Sequence, residues 1–298
     1  MKSSNDREMF QELNDCSAGI NERLDENLAV GKESYAKLLE SMRYSLLAGG
    51  KRIRPTICIK FCEAAGGKPE AALDAACAIE MMHTYSLIHD DLPCMDDSDM
   101  RRGKPSNHVK YDVFTATLAG DALQAEAFGI LFKSGLPPGA VIEMAGILAE
   151  AAGPHGICGG QFLDVQGVWQ PLTEDILTEI HNLKTAALMS AAAKLGVIAG
   201  GGTPEQVKAA EEYALAVGFA FQIRDDVLDS TVMDNELGKP LGLDLENNKM
   251  TFAALLGIGK CEEVINAETE KAIAAIDGKF ADTGFLTWLA RMLAERKS

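Results

Sequence analysis

Two clusters of aspartate carry the groups in this sequence that are best suited to hold a divalent metal. The first is DDLPCMDD at residues 90–97, and the second is DDVLD at residues 225–229. Carboxylate oxygens are the hard ligands that Mg²⁺ prefers, and water or phosphate oxygens complete its coordination shell. A single acidic cluster is more often a solvated helix end, but two such clusters in apolar helical segments indicate a divalent-metal site.

The helical pattern around each cluster indicates that its negative charges would be stabilised by a bound cation. Residues 78–89 have a helical pattern, and Pro93 disfavours helical geometry at Leu92, so the first carboxylates are predicted at a helix C-terminus. The helix dipole disfavours negative charge there by up to about 1 kcal/mol per group. In the second cluster, Asp225 and Asp229 share one helix face and repel each other unless something neutralises them.

Basic residues stand where a phosphate group would need them. The block GGKRIRP at residues 49–55 is a glycine-rich turn before a helix predicted to begin with Pro55, and it brings Lys and Arg donors to a helix N-terminus. Taken alone, such a turn more often serves solubility. Arg101 and Arg102 follow the first acidic cluster directly, and cations beside a carboxylate-held metal form a joint receptor for phosphate oxygens.

The elements that must position these groups are predicted to be helices throughout. Apolar residues recur at three-and-four spacing, and alternating β-branched runs are missing. Glycine breakpoints at 49–50, 66–67, 135–139, 153–160 and 200–202 separate the helical blocks. Thr203, Pro204 and Gln206 predict a helix over about 204–229. With no linker or clear internal repeat, one all-α domain over residues 1–298 is the simplest interpretation.

Composition excludes several classes of protein. The net charge of -16 repels nucleic acid and anionic lipid, so an anionic ligand needs a local basic cluster. The longest apolar stretch is interrupted by Lys194, and the first ten residues lack the features of a signal peptide, so we expect a cytosolic protein without membrane insertion. Seven cysteines without CxxC spacing are interpreted as reduced packing residues.

From about Leu46 to Leu256 the chain resembles the trans-prenyltransferases, the polyprenyl diphosphate synthase family, and within it the bacterial farnesyl diphosphate synthases. The blocks that carry this resemblance are GGKRIRP, MMHTYSLIHDDLPCMDDSDMRRGKPSNH, GDALQAEAF, GGQFLDVQG, HNLKTAALMSAA, GFAFQIRDDVLD and LGKPLGLDLENNKMTFAALLG. The resemblance implies a bundle of antiparallel helices around a central cavity, with the two aspartate motifs facing each other across its mouth. It also implies a homodimer.

The resemblance further implies a set of ligands for two substrates and three Mg²⁺ ions. Two ions would be held by Asp90 and Asp96 with Asp91 close by, and a third by Asp225 with Asp226 and Asp229. Isopentenyl diphosphate would be bound by Lys51, Arg54, His83 and Arg102. The allylic diphosphate would be bound by Arg101, Lys184, Thr185, Gln222, Lys239 and Lys249, all but the last with a catalytic role. Asn248 stands where the family usually has Gly, which makes Lys249 the least secure assignment.

The length of the product is predicted from the residues that precede the first motif. Tyr85 lies five residues before Asp90, about 7.5 Å along the helix, and Ser86 beside it is small. In the family a bulky aromatic residue at this position accompanies a C15 product, so farnesyl diphosphate is predicted. A routine core aromatic is the alternative interpretation of Tyr85.

Three other functions stay open at this point. A geranylgeranyl or longer-chain synthase differs mainly by the residue at 85. Class I terpene cyclases usually have an Asn/Asp, Ser/Thr and Glu triad in place of a second DDxxD motif. Non-catalytic subunits of heteromeric synthases tend to lose aspartates from one motif, whereas this chain keeps both.

Overall fold

The structure is a computed structural model that describes residues 4–167, 173–237 and 251–296. Helices make up most of the described chain, as predicted. The α-helices are α1 (Ser4–Asn27), α2 (Ala36–Leu46), α3 (Ile53–Ala64), α4 (Pro69–Asp90), α5 (Asn107–Lys110), α6 (Val113–Lys133), α7 (Pro138–Ala152), α8 (Ile157–Gln166), α9 (Glu174–His181), α10 (Ala187–Ala199), α11 (Pro204–Leu237), α12 (Phe252–Leu256), α13 (Ile258–Ile276) and α14 (Gly284–Glu295).

Two short elements depart from this pattern, and both carry predicted site residues. Strands β1 (Met100–Arg101) and β2 (Lys104–Pro105) pair antiparallel, with Arg101 opposite Lys104. The two residues of their turn, Arg102 and Gly103, have φ of 53° and 74°, as in the type I′ turns that join tight hairpins. A π-helical turn, Asn182–Ala186, joins α9 to α10. Such turns within helices frequently mark functional sites.

The predicted breakpoints at 49–50, 66–67 and 200–202 fall between helices, whereas Gly139 lies inside α7 and Gly159 and Gly160 lie inside α8. Helix α4 ends at Asp90, so the first aspartate cluster begins at a helix C-terminus as expected. Helix α11 begins at Pro204 as predicted but continues to Leu237, beyond the expected end near residue 229. Helix α3 begins at Ile53 and not at Pro55. Arg52 precedes it in a left-handed conformation (φ 48°), and its carbonyl accepts the backbone N–H of Thr56 at 3.0 Å.

The chain forms two compact units. The first comprises Met1–Leu148 and Ala192–Thr203, and the second comprises Ala149–Ala191 and Pro204–Ser298. In the first unit, α4 is surrounded by α3 and α6 and is buried on most sides. In the second unit, α11 packs along α13, with Ile223, Val227 and Ile265 in their shared core. The single domain inferred from the sequence therefore stays a prediction.

Two expectations from composition can be compared with the described residues. All seven cysteines are free thiols. Four of them are buried, but Cys94 and Cys158 are exposed, so these two are not packing residues. In the part of the chain that the structure describes, no helix is both long and apolar enough to cross a bilayer.

Candidate active site

The first aspartate cluster folds back on the end of α4. The backbone N–H of Asp96 donates to the carbonyl of Asp90 at 2.9 Å, and that of Asp97 donates to the carbonyl of Leu92 at 3.1 Å. The loop therefore places the two aspartates that were predicted as principal metal ligands next to each other. Asp90 is half buried and Asp96 is exposed.

Asp91 has different surroundings from its neighbours, because its carboxylate is buried against Arg101. The Arg101 Nε donates to both carboxylate oxygens at 2.9 and 2.8 Å, and its Nη2 donates to Oδ1 at 2.7 Å. Burial lowers the pKa of Arg101, but the bonds to Asp91 outweigh it and the net shift is upward. Asp91 thus fixes Arg101 beside the metal-binding candidates, and its own predicted place at the metal stays a prediction.

A cluster of cations lies beside α4 in the first unit and is organised by one buried ion pair. Arg52 and Glu80 pair with almost fully buried side chains. Arg52 also donates to the Asn21 side chain at 2.9 Å and to the Leu46 carbonyl at 2.6 Å. Because Arg52 points into the protein, it ties the GGKRIRP turn to three helices.

Arg102 reaches this cluster from the hairpin turn. Its Nη1 donates to the carbonyl of Gly49. Gly50, with φ of 123°, leaves the space that the guanidinium occupies, since a Cβ there would lie 2.9 Å from the Arg102 Cζ. The left-handed Arg102 and the side-chain-free Gly50 together allow this approach.

Arg54 and His83 complete the predicted binding set for isopentenyl diphosphate. The Nε of Arg54 is buried, and no described residue accepts a hydrogen bond from it. Burial lowers the pKa of Arg54, Glu80 raises it and Arg102 lowers it further. Burial and then the surrounding arginines hold the pKa of His83 well below its ordinary value, so this imidazole is neutral. A buried guanidinium donor without a partner is costly and fits a site for an anion. Lys51, from the same turn, is exposed.

In the second unit, the π-helical turn carries Lys184 and Thr185 and packs against α11. The Thr185 hydroxyl donates to the Gln222 side-chain carbonyl at 2.8 Å. The Gln222 amide in turn bonds to the carboxylate of Asp226, one turn further along α11. These three predicted residues therefore form one hydrogen-bonded chain.

The three aspartates of the second cluster have three different environments. Asp226 is buried and accepts the backbone N–H of Phe252 at 3.0 Å. Burial raises the pKa of Asp226 to about 6, although the Phe252 bond opposes the shift. Asp225 is half buried and forms an ion pair with Arg296, whereas Asp229 is exposed. Asp226 thus anchors the start of α12, and its predicted metal role stays a prediction.

Helix α8 contributes residues that the motif analysis did not single out. The Asp164 carboxylate accepts a hydrogen bond from the Lys184 ammonium at 2.6 Å. Gln161, one turn earlier, is buried, and neither atom of its amide has a partner among the described residues. Both belong to the block GGQFLDVQG, but neither residue type nor spacing distinguishes them there, because their role depends on packing against the π-helical turn.

Tyr85 is buried on α4, and its ring meets the edge of the His89 ring at a centroid distance of 5.8 Å. The His89 Nε2 lies 3.0 Å from the carbonyl of Thr117 on α6. A Cβ on Gly120 would lie 2.1 Å from the same nitrogen. His89 is therefore fixed against α6 and supports the ring of Tyr85, while Ser86 beside it is buried and small.

The carboxylates fit Mg²⁺ in their chemistry. Within residues 4–167, 173–237 and 251–296, no group of three or more His, Cys, Asp and Glu side chains lies close enough together to hold a metal alone. Mg²⁺ commonly takes one or two carboxylates and completes its shell with water and substrate phosphates. Lys239 and Lys249 lie outside the described residues.

Comparison with known proteins decides the family. Residues 35–283 match the model of the polyprenyl synthetase family. The chain belongs to this family. It is 44% identical over 268 residues to a chloroplastic geranylgeranyl pyrophosphate synthase of Capsicum annuum, covering 88% of this chain and 72% of the relative. It is 41% identical over 267 residues to a farnesyl diphosphate synthase of Geobacillus stearothermophilus, covering 89% of this chain and 90% of the relative.

Solved structures of polyprenyl synthetases share its all-α fold. The crystal structure of an FPP/GFPP synthase from Zymomonas mobilis aligns with a TM-score of 0.86 at 34% identity, over 96% of this chain and 99% of the other. The chain is therefore a trans-prenyl diphosphate synthase, a prenyltransferase class that uses Mg²⁺. Since its relatives are named for different products, membership of the family does not determine the product.

Proposed function

We propose that the chain condenses isopentenyl diphosphate head to tail with dimethylallyl or geranyl diphosphate, releasing pyrophosphate and giving farnesyl diphosphate. The buried ring of Tyr85, five residues before Asp90 on α4, carries the assignment of product length. The ring of Tyr85 packs against the ring of His89, which is itself hydrogen-bonded to α6. A rigid aromatic ring there would stop the growing chain.

The proposed reaction requires charge stabilisation and not a protein nucleophile. The allylic carbon–oxygen bond breaks, the double bond of isopentenyl diphosphate attacks the resulting carbocation, and a proton is lost, with pyrophosphate as the proposed acceptor. Three Mg²⁺ ions, two at Asp90 and Asp96 and one at Asp225 with Asp229, would neutralise the diphosphate charge. Arg101, held by Asp91, would add a fixed cation to the allylic diphosphate.

The other substrate contacts follow from the environments of the described residues. Arg54, His83 and Arg102 would bind the diphosphate of isopentenyl diphosphate, because this cluster has a buried guanidinium donor to satisfy and a neutral imidazole beside it. Lys184 would bind the allylic diphosphate. The Thr185 and Gln222 pair would present oxygen dipoles to the carbocation.

Incubation of the purified chain with labelled isopentenyl diphosphate and geranyl diphosphate, with and without Mg²⁺, tests the proposal. A Mg²⁺-dependent C15 alcohol after dephosphorylation is the expected result. A C20 or longer alcohol would retain the enzyme class and reject the farnesyl assignment. No elongation in Mg²⁺ would reject the catalytic proposal.

Replacing Tyr85 with Ala is expected to shift the main product from C15 to C20 or longer, because the ring that limits the chain is removed. The ratio of products by chromatography measures this independently of the rate, which matters because truncating a buried aromatic costs about 3–5 kcal/mol of stability. Tyr85→Phe keeps the ring and should keep C15. Tyr35→Ala, at an exposed tyrosine, is the matched control. An unchanged C15 product from Tyr85→Ala would contradict the assignment.

Geranylgeranyl diphosphate is the second candidate product. Several relatives, including that of Capsicum annuum, are named as geranylgeranyl pyrophosphate synthases, and the residue beside Tyr85, Ser86, is small. Those plant relatives are also named as chloroplastic, so a cytosolic location for this chain stays a prediction.

A homodimer is also proposed, on the exposed face of α6. Phe114, Leu118 and Phe132 lie within one face of this helix and are 67%, 50% and 64% exposed, along about 27 Å of its length. Asp121 lies between them and is 3.8 Å from His89. A second copy could bury this stripe around a two-fold axis.

Leu118→Glu is expected to convert the dimer to a monomer, since two buried carboxylates would face each other at the interface. Light scattering coupled to size-exclusion chromatography at micromolar concentration measures the change. Tyr35→Glu, which also adds a charge at an exposed position, should leave the mass unchanged. A wild-type monomer would refute the proposed homodimer, and an unchanged dimer in Leu118→Glu would place its interface elsewhere.

A further inference from the structure

We infer that Asp164 is a positioning residue for binding of the allylic diphosphate, acting through the ammonium of Lys184. This inference rests on the proposed function of Lys184 as a diphosphate ligand. Its basis is the 2.6 Å hydrogen bond between Lys184 Nζ and Asp164 Oδ2, within the second unit.

Helix α8 contacts both the backbone and the side-chain ammonium of Lys184. Gly160 lies against its backbone so closely that a Cβ on Gly160 would be 2.4 Å from the Lys184 nitrogen. Asp164, one helical turn further along the same face of α8, bonds to its ammonium. Backbone and charge are thus both set by one helix, at a π-helical turn whose next residue, Thr185, is bonded to α11.

The pair between Lys184 and Asp164 is partly buried. Their side chains are 28% and 15% exposed. The pair restricts the flexible four-carbon stem of the lysine side chain and so fixes the position of its ammonium group. An ammonium has three donors, so one bond to Asp164 leaves two for diphosphate oxygens.

A double-mutant cycle tests whether Asp164 acts through Lys184. Inorganic pyrophosphate with Mg²⁺ is titrated by calorimetry into the full chain and into Asp164→Asn, Lys184→Met and the double variant. Asp164→Asn is expected to weaken binding about tenfold, and the double variant should bind within about twofold of Lys184→Met alone. Glu268→Gln, which removes the charge of an exposed pair with Lys271 on α13, should bind as the wild type does.

Steady-state kinetics adds a measurement that a general loss of structure would not reproduce. Asp164→Asn should raise the KM of dimethylallyl diphosphate about tenfold and leave the KM of isopentenyl diphosphate within twofold, and Asp164→Glu should restore part of the loss. The inference would be overturned by any of three results. The losses in pyrophosphate binding could be additive in the cycle, or Asp164→Asn could bind pyrophosphate as tightly as the wild type or more tightly. The third result is an equal change in the KM values of both substrates.

The remaining outcomes are also decisive. If Asp164→Asn and Asp164→Ser both fail to fold by circular dichroism, Asp164 is structural and the inference is wrong. A wild-type chain that makes no prenyl product would refute the proposed function, whereas the pyrophosphate cycle can be read without turnover. Equal pyrophosphate binding by the wild type and Lys184→Met would refute both the proposed diphosphate contact of Lys184 and the inference, while leaving the proposed prenyl transfer in place.

Discussion

Replacing Glu80 with Gln should lower the free energy of unfolding by about 3 kcal/mol or more, because it leaves the buried guanidinium of Arg52 without its counter-charge. The two side chains are 3% and 0% exposed, so water cannot take the place of the carboxylate. The melting temperature should fall by several degrees, as measured by circular dichroism or differential scanning fluorimetry.

The same substitution tests whether the cation cluster of the first unit binds an anion. Glu80 offsets the charges of Arg54 and Arg102 as well as that of Arg52. Without it, a bound anion becomes the main compensation for these arginines. Inorganic pyrophosphate should therefore raise the melting temperature of Glu80→Gln by more degrees than that of the wild type.

Glu143→Gln, at an exposed position on α7, is the control and should leave stability within about 0.5 kcal/mol. A Glu80→Gln variant as stable as the wild type would show that the buried pair does not hold the GGKRIRP turn. Equal stabilisation of both proteins by pyrophosphate would argue against an anion site at the cluster.

Replacing Gly160 with Ala is expected to lower kcat/KM by about 100-fold, the scale of loss for a reacting group displaced by about 1 Å. The added Cβ would lie 2.4 Å from the Lys184 backbone nitrogen and 2.8 Å from its Cα. Because these are backbone atoms, the π-helical turn or α8 must move. Lys184 and Thr185 would then lose their positions together.

The matched control is Gly146→Ala in α7, where a Cβ would meet nothing within 4 Å. Ala in place of an exposed helical Gly should stabilise by up to about 1 kcal/mol. Both variants gain the same helix propensity, so any difference between them reports the close approach of α8 to Lys184. A Gly160→Ala enzyme with wild-type kinetics would contradict this role of the close packing.

The helix ends and the general location of the site could be predicted because they depend on neighbouring residues. Pro204 begins α11, and the aspartates begin where α4 ends at Asp90, because proline and the helical period act within a turn or two of the chain. The sequence did not predict the extra length of α11 or the left-handed Arg52. The conformation of Arg52 accompanies packing with remote helices, as its bonds to Asn21 and Glu80 show.

The sequence by itself determined that the first carboxylates would follow a helix C-terminus and that cations would stand beside them, and its motifs determined the family. Only the tertiary structure distinguished the members of each cluster: Asp91 pairs with Arg101 and Asp226 with the start of α12, while Asp96 and Asp229 remain exposed. The pairing of Asp164 with Lys184 likewise appears only when α8 packs against the π-helical turn. The physical reason is that identical carboxylates differ only in their neighbours, and those neighbours come from other elements of the fold.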